Sequence, residues 1–206
     1  MLGYVARLIR HLYETKTRRG RDPPVALITP WIIPLDKVEF RTELVRGLHA
    51  QYQNDFQRIY EQEVRPHDAR LENALWITTP LSRQDLYELL KGAVSRTIWL
   101  YTIPGRGSKT ATSLKQYPSI HEIPVLIYDP LFLRETPMAD VLNALNDLLN
   151  TSTYLYRLDD KVFYALVPDI LKFLRERFVS TTDFDALTNL EKLVNMQSFK
   201  PGGKIK

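Results

Sequence analysis

Side chains that could form the edge of an active site are concentrated between Phe178 and Glu191. An apolar stretch there runs into the hydroxyl residues Ser180 to Thr182, and an Asn189-x-Glu191 pair follows. A hydroxyl group acts as a nucleophile only when a neighbouring base activates it, and this segment contains no such partner. The pattern therefore indicates an incomplete site rather than a full catalytic set.

The same residues also fit the start of an ordinary helix. Thr182 or Asp183 would be the N-cap of a helix from Phe184 to Val194, because its side-chain oxygen can accept free backbone N–H groups. Asn189 and Glu191 would then lie on the surface. A catalytic edge and a helix cap both remain open.

The other polar motifs predict no metal site and no cofactor. The loop Gly105-Arg-Gly-Ser-Lys-Thr110 looks briefly like a phosphate-binding loop, but Ile103 and Ser108 occupy the two positions where a Walker loop needs glycine. Cysteine is absent, which excludes thiol and disulfide chemistry. No metal-binding or catalytic spacing connects the four histidines, which are His11, His49, His67 and His121.

Positive charge is concentrated at the beginning of the chain. The formal net charge is +4, and seven basic positions, counting His11, fall in the first 21 residues. Such a patch neutralises phosphates of DNA or RNA, or anionic lipid heads, and a solvated basic linker is the alternative. Tyrosines near basic residues, such as Tyr117 and Tyr156, could stack on bases. The predicted nucleic-acid-binding residues are Arg7, Arg10, Lys16, Arg18, Arg19, Arg21, Arg106 and Lys109.

Apolar periodicity predicts an α/β fold, in which helices pack on a mixed sheet and an N-terminal helical arm precedes it. The arm is a helix over 2–16 with an apolar stripe of Leu2, Val5, Ile9 and Leu12. Ser82 with Asp85 resembles a capping box for the helix that follows. Further helices are predicted over 37–64, 83–94, 138–149, 168–178 and 184–194, and strands over 25–34, 74–79, 97–103 and 123–128.

A hairpin completes this predicted fold, with strands over 153–158 and 162–167 around a turn at Asp159-Asp160. The predicted domains are a basic arm over 1–22, the α/β domain over 23–197 and a disordered basic tail over 198–206.

Taken together, several of these segments resemble the phospholipase D-like superfamily and its nucleases. Thr29-Pro-Trp-Ile32 resembles an early family strand, and Asn189-Leu-Glu191 matches the final Asn-x-Glu pair. Ser180-Thr-Thr-Asp-Phe184 resembles the Gly-Ser-x-Asn-Phe turn, with aspartate in the place of asparagine. In the hairpin, Asp159 and Lys161 stand where the family has its His-x-Lys motif.

The resemblance implies metal-independent phosphodiester cleavage with a histidine nucleophile. Because Asp159 stands in the histidine position, the expected phosphoryl acceptor is missing. The candidate catalytic residues that the resemblance implies are Lys161, Thr181, Asn189 and Glu191.

The sequence therefore favours a cytoplasmic, non-catalytic protein that associates with nucleic acid or serves in assembly. The enzymatic alternative is a divergent phosphodiesterase that completes its site by dimerisation or with a histidine such as His121. A third alternative is a structural homo-oligomer, in which the first helix and the 37–64 helix form the seam. No apolar stretch is long enough to predict a transmembrane span.

Overall fold

A central helix, α5 (Arg83–Thr102), organises the part of the chain that the computed structural model describes. The described residues are 2–19, 29–46, 48, 50–74, 82–103, 117–129, 136–166 and 168–169. The chain divides at Leu166 into two units, and the second unit, Val167–Lys206, lies almost entirely outside these residues.

Within the described residues the chain is mostly helical. The helices are α1 (Leu2–Arg19), α2 (Val38–Val45), α3 (Ala50–Ile59), α4 (Arg65–Ala74), α5, α6 (Ile123–Ile127) and α7 (Met138–Thr151). A 3₁₀ turn spans Pro30–Ile32, and a π-helical turn, Tyr60–Val64, joins α3 to α4. The antiparallel strands β1 (Leu155–Leu158) and β2 (Lys161–Tyr164) form a two-stranded sheet, in which Tyr156 faces Phe163.

The core lies around α5, against which α4, α7, the 3₁₀ turn and β2 all pack. Trp99 of α5 is fully buried, and its ring meets Tyr60 edge-on at a centroid distance of 5.6 Å. Where α4 crosses α5, a Cβ added to Gly92 would lie 3.1 Å from the carbonyl oxygen of His67. A side chain at this position would therefore push the two helices apart.

The predicted α/β fold is wrong, because two of its strands are helical. Residues 97–102 belong to the last part of α5, which is buried on every side from Gly92 to Trp99, and Ile103 is its extended C-cap. A helix that is buried all round loses its 3.6-residue apolar period, so its sequence resembles that of a buried strand. Residues 123–127 instead form α6, which follows a reciprocal pair of hydrogen bonds between Ser119 and Glu122.

Two further predicted elements differ from the structure. The single helix over 37–64 is interrupted after Val45, and the helical path that resumes at Ala50 continues through the π-helical turn to Ala74. The predicted strand over 25–34 contains the 3₁₀ turn, and its residues 25–28 lie outside the described residues. The predicted strand over 74–79 begins at the last residue of α4, and 75–79 also lie outside.

Other predicted elements are confirmed. Helices appear over 2–16 and 138–149, as parts of α1 and α7. The hairpin turns at Asp159-Asp160, where Asp159 adopts a φ of 55°, a left-handed conformation that aspartate tolerates better than most residues. Ser82 caps α5 by accepting a hydrogen bond from the backbone N–H of Asp85 at 3.1 Å. The predicted domain boundaries, and the helices over 168–178 and 184–194, fall on or beside residues outside the described part and stay predictions.

Candidate interaction site

A buried ionic network ties the central helices together. Arg96 of α5 donates through Nε to Asp68 Oδ1 of α4 at 2.8 Å, and the Tyr60 hydroxyl donates to Asp68 Oδ2 at 2.6 Å. Arg96 Nη1 also donates to the carbonyl oxygens of Trp31 and Ile33, both at 2.8 Å. Burial first, and then the charge and hydrogen bond of Asp68, raise the pKa of Tyr60. Since Arg96 and Asp68 are shielded from solvent, this network is suited to holding the fold and not to binding a substrate.

A second arginine covers the same network from the side of α2. The Arg41 guanidinium lies 4.3 Å from the centroid of the Tyr60 ring and donates to the carbonyl oxygen of Leu35. It also lies 3.3 Å from carboxylate oxygen Oε1 of Glu61. A guanidinium over an aromatic face is attracted by the ring quadrupole, so Arg41 also serves the scaffold.

A polar groove of about 640 Å³ opens between α5 and α7. On its wall, the Tyr87 hydroxyl donates to Asp147 Oδ2 at 2.8 Å, and Lys91 Nζ lies 3.3 Å from the same carboxylate oxygen. Desolvation, followed by the hydrogen bond to Asp147, raises the pKa of Tyr87 to about 12. Neutral Tyr87 therefore persists well above neutral pH, and it acts here as a hydrogen-bond donor rather than as a base.

The outer side of α1 exposes apolar residues one helical turn apart. The exposed fraction is 40% for Val5 and 51% for Ile9, and Tyr13 continues the same line as a further exposed residue. These three residues are called the outer stripe here. The adjacent side of α1 packs on α2, since Leu8 is buried and the Tyr4 ring meets Phe40 edge-on at 5.6 Å.

A second exposed apolar surface, the α6–α7 groove, has a volume of about 370 Å³. Val125 of α6 is 71% exposed and Met138 of α7 is 59% exposed, although both are large apolar side chains. Exposed apolar residues that cluster, unlike scattered ones, mark surfaces that bind a partner. The residues that line the groove include Pro124, Val125, Ile127, Tyr128, Met138 and Val141.

Aromatic side chains also stack across the outer face of the hairpin. The Phe163 ring of β2 stacks with the Tyr117 ring at a centroid distance of 4.6 Å and with the Tyr156 ring at 6.3 Å. The nearby cations have partners, because Lys161 Nζ lies 3.4 Å from Glu122 Oε2 and Arg157 Nε donates to the carbonyl oxygen of Asp159. This row could stack on bases, but its cations are already committed within the chain.

The predicted catalytic residues are not brought together in the described part of the chain. Lys161 lies in β2, whereas Thr181, Asn189 and Glu191 lie outside the described residues. Thr29, which the phospholipase D-like resemblance assigns to an early strand, precedes the 3₁₀ turn instead. The resemblance and the enzymatic alternative stay predictions.

The predicted basic residues are divided between α1 and segments outside the described part. Arg7 forms an ion pair with Glu43 of α2, and Arg10 is exposed. Lys16, Arg18 and Arg19 belong to the carboxyl-terminal part of α1, whereas Arg21, Arg106 and Lys109 lie outside the described residues. The observed α1 therefore concentrates most of the predicted basic patch on one helix.

Sequence reasoning missed the buried ionic network, although a signal for it was present. Arg96 interrupts an otherwise apolar and small-residue stretch from Ala93 to Trp99. A charged residue within such a stretch indicates a buried ion pair, because an unpaired charge is very costly in a core. The predicted helix over 83–94 and the predicted strand over 97–103 instead place Arg96 at a boundary between two elements.

Neither a metal-binding cluster nor a membrane-spanning helix is present among the described residues. No group of three or more histidine, aspartate or glutamate residues is placed to hold a metal ion there. Among the helices of the same residues, none is both long and apolar enough to cross a lipid bilayer.

The described residues form a mostly helical domain with a buried ionic network and two exposed apolar surfaces. Residues 4–165 match the family described as DUF499 second domain, and the chain belongs to that family. The match covers nearly all of the first unit, Met1–Leu166. No curated protein and no solved structure matches the chain.

Proposed function

We propose that this chain is a non-catalytic assembly domain that works in the cytoplasm and joins protein surfaces through the outer stripe of α1. The observation that carries the proposal is the exposure of Val5 and Ile9 on a helix whose adjacent side is already packed on α2. Burying apolar area drives association, at roughly 25 cal/mol per Å² removed from water. A helix with one face in the core and a second apolar face outside is suited to hold a partner.

The polar side chains of the interior support a structural role for the domain. Arg96, Asp68 and Tyr60 are engaged with one another, and Arg41 is engaged with backbone and side-chain groups around them. All four of these side chains are buried. The family description also fits, since a second domain is by its name one part of a larger arrangement.

The proposal is tested by the mass of the chain in solution. Sedimentation velocity over a wide concentration range should show association of the natural chain, and Ile9→Glu should shift it towards the monomer. A carboxylate in the centre of the stripe would have to be desolvated in the interface, which costs several kcal/mol unless it is paired.

Leu158→Glu is the matched control, because Leu158 is 48% exposed and lies on the hairpin instead of α1. It adds the same charge and removes a residue of similar size, so it should leave the mass distribution unchanged. Identical behaviour of Ile9→Glu and the natural chain would overturn the proposal, provided that circular dichroism shows both to be folded.

Nucleic-acid association is the second candidate, and the charge of α1 favours it. The helix carries five Arg or Lys residues against one acidic residue, and Arg10 is exposed. Binding of labelled single-stranded DNA, duplex DNA and RNA should weaken steeply with added salt, and Arg10→Glu should weaken it further. Binding that is absent, or that does not respond to salt, would remove this candidate.

A further inference from the structure

We infer that the outer stripe takes one class of protein partner, an acidic amphipathic helix whose apolar side chains are flanked by Asp and Glu. Because the outer stripe is the surface of the proposed assembly function, this inference rests on that function and names the chemistry of its partner. Two properties that α1 combines point to such a partner. They are its exposed apolar side chains and the excess positive charge of the chain.

The positive charge of the chain is concentrated on α1. This helix carries five Arg or Lys residues and one Glu, so its net charge of +4 equals the formal net charge of the whole chain. The remaining residues therefore balance one another in charge. Among the described residues, Arg7 is paired with Glu43, whereas Arg10 is exposed and forms no ion pair. A surface of this charge steers anionic partners towards α1 and disfavours cationic ones.

The basic residues of α1 lie beside the apolar anchors. Val5 and Ile9, at i and i+4, have the spacing of apolar anchors in helix recognition. Residues three or four apart are neighbours on a helix surface, so Arg10 borders the stripe at Tyr13. Lys16 follows Ile9 by two helical turns and continues the line of the stripe. A partner helix with apolar residues at the same spacing and carboxylates beside them would meet both kinds of residue.

Two other anionic partners would use only part of this surface. DNA and RNA would pair with the cations, but phosphates would leave Val5 and Ile9 in water. An anionic bilayer would take up apolar side chains, but helices that lie in a bilayer surface bury a whole apolar face. The exposed fraction is only 40% for Val5 and 51% for Ile9, so part of each side chain is already covered within the chain. Shallow contact with a second helix matches this partial exposure.

Three synthetic helical peptides and the full chain provide the test. The first peptide carries leucine at helical spacing with glutamate beside each leucine. The second has lysine in place of each glutamate, and the third has serine in place of each leucine. Fluorescence anisotropy should show that the full chain binds the glutamate peptide at least about tenfold more tightly than either of the others. An excess of this peptide should also lower the mass of the associated natural chain, because it occupies the outer stripe.

Substitutions on α1 assign the binding to this surface. Arg10→Glu should weaken binding of the glutamate peptide about tenfold and tighten binding of the lysine peptide, because an attraction becomes a repulsion. Ile9→Glu should weaken binding of the glutamate peptide about a hundredfold, since it removes an apolar anchor and adds a carboxylate. Val5→Ser is a milder change in the same stripe and should weaken it in the same direction. Leu158→Glu, on the hairpin, is the control and should bind like the natural chain.

The outcomes separate this inference from the assembly function itself. Equal binding of the glutamate and lysine peptides, or binding of neither by a chain whose association depends on Ile9, would overturn the inference while the assembly function stands. Binding to vesicles of equal parts phosphatidylcholine and phosphatidylserine that depends on Ile9, without binding of the glutamate peptide, would identify a lipid surface and also overturn it. If Ile9→Glu alters neither the mass of the chain nor peptide binding, both are overturned.

Discussion

Asp68→Asn should remove a large part of the stability of the domain. The substitution keeps the size of the side chain but leaves the buried Arg96 charge without its counter-charge. Breaking a buried ion pair in this way costs about 3–5 kcal/mol. Arg96 keeps two carbonyl partners, from Trp31 and Ile33, and asparagine still offers one acceptor oxygen. We therefore expect about 3 kcal/mol, at the lower end of that range.

Urea unfolding followed by the fluorescence of the buried Trp31 and Trp99 measures this loss directly. With an m-value of about 2 kcal/mol per M, a loss of 3 kcal/mol lowers the midpoint by about 1.5 M. Tyr60→Phe removes only the hydroxyl that donates to Asp68, so we expect a smaller loss of about 2 kcal/mol. Glu43→Gln is the control, because its ion pair with Arg7 is exposed and such pairs contribute about 0–1 kcal/mol.

A double-mutant cycle with Arg96→Met isolates the contribution of the pair. In the Arg96→Met background, Asp68→Asn no longer leaves a buried positive charge without its carboxylate. The losses of stability from the two substitutions should therefore be strongly non-additive. A loss below about 1 kcal/mol for Asp68→Asn, together with additive effects in the cycle, would refute the structural role assigned to this network.

Three further substitutions test local features. Tyr87→Phe should remove one tyrosine that ionises near pH 12 from an ultraviolet absorbance titration, because the folded pKa of Tyr87 is about 12 and exceeds the ordinary 10.0. The stabilising effect of Tyr87 is therefore complete below pH 10 and is lost as the pH rises towards 12. A variant that instead lost absorbance change near pH 10 would contradict this. Gly92→Leu should destabilise by about 2 kcal/mol, because the added side chain meets the His67 carbonyl, and an unchanged thermal midpoint would argue against that close approach. Ser119→Ala should cost about 1 kcal/mol by removing the hydroxyl that accepts from the Glu122 N–H, and hydrogen exchange at Glu122 should accelerate.

The elements that could be predicted from the sequence have one face in solvent, or they begin or turn at residues with a clear local preference. Helix α7 alternates buried and exposed residues at the helical period, from Val141 to Leu148. Asp159-Asp160 gave the position of the hairpin turn, and Ser82 gave the start of α5. In each of these cases the information lies within a few residues.

The elements that could not be predicted depend on contacts distant in sequence. Residues 97–102 belong to α5, against which α4, α7 and β2 all pack, and burial on every side from Gly92 to Trp99 removes the period there. Asp68 and Arg96 are 28 residues apart, and neither position reveals its partner alone. For α6 a local signal did exist: Ser119-Ile-His-Glu122 has the spacing of a capping box, but the β-branched run after it favoured a strand.

Helix α1 is predicted correctly as a helix, but the burial of its apolar residues is not. The sequence predicts the helix and an apolar stripe that includes Val5 and Ile9. An apolar stripe with the helical period normally faces the core. The structure buries Leu8 and exposes Val5 and Ile9. Consecutive helical residues are separated by about 100°, so the apolar sector of α1 is wider than one neighbouring helix can cover. Because α2 covers the side of Leu8 and Tyr4, the rest of that sector, at Val5 and Ile9, is left exposed.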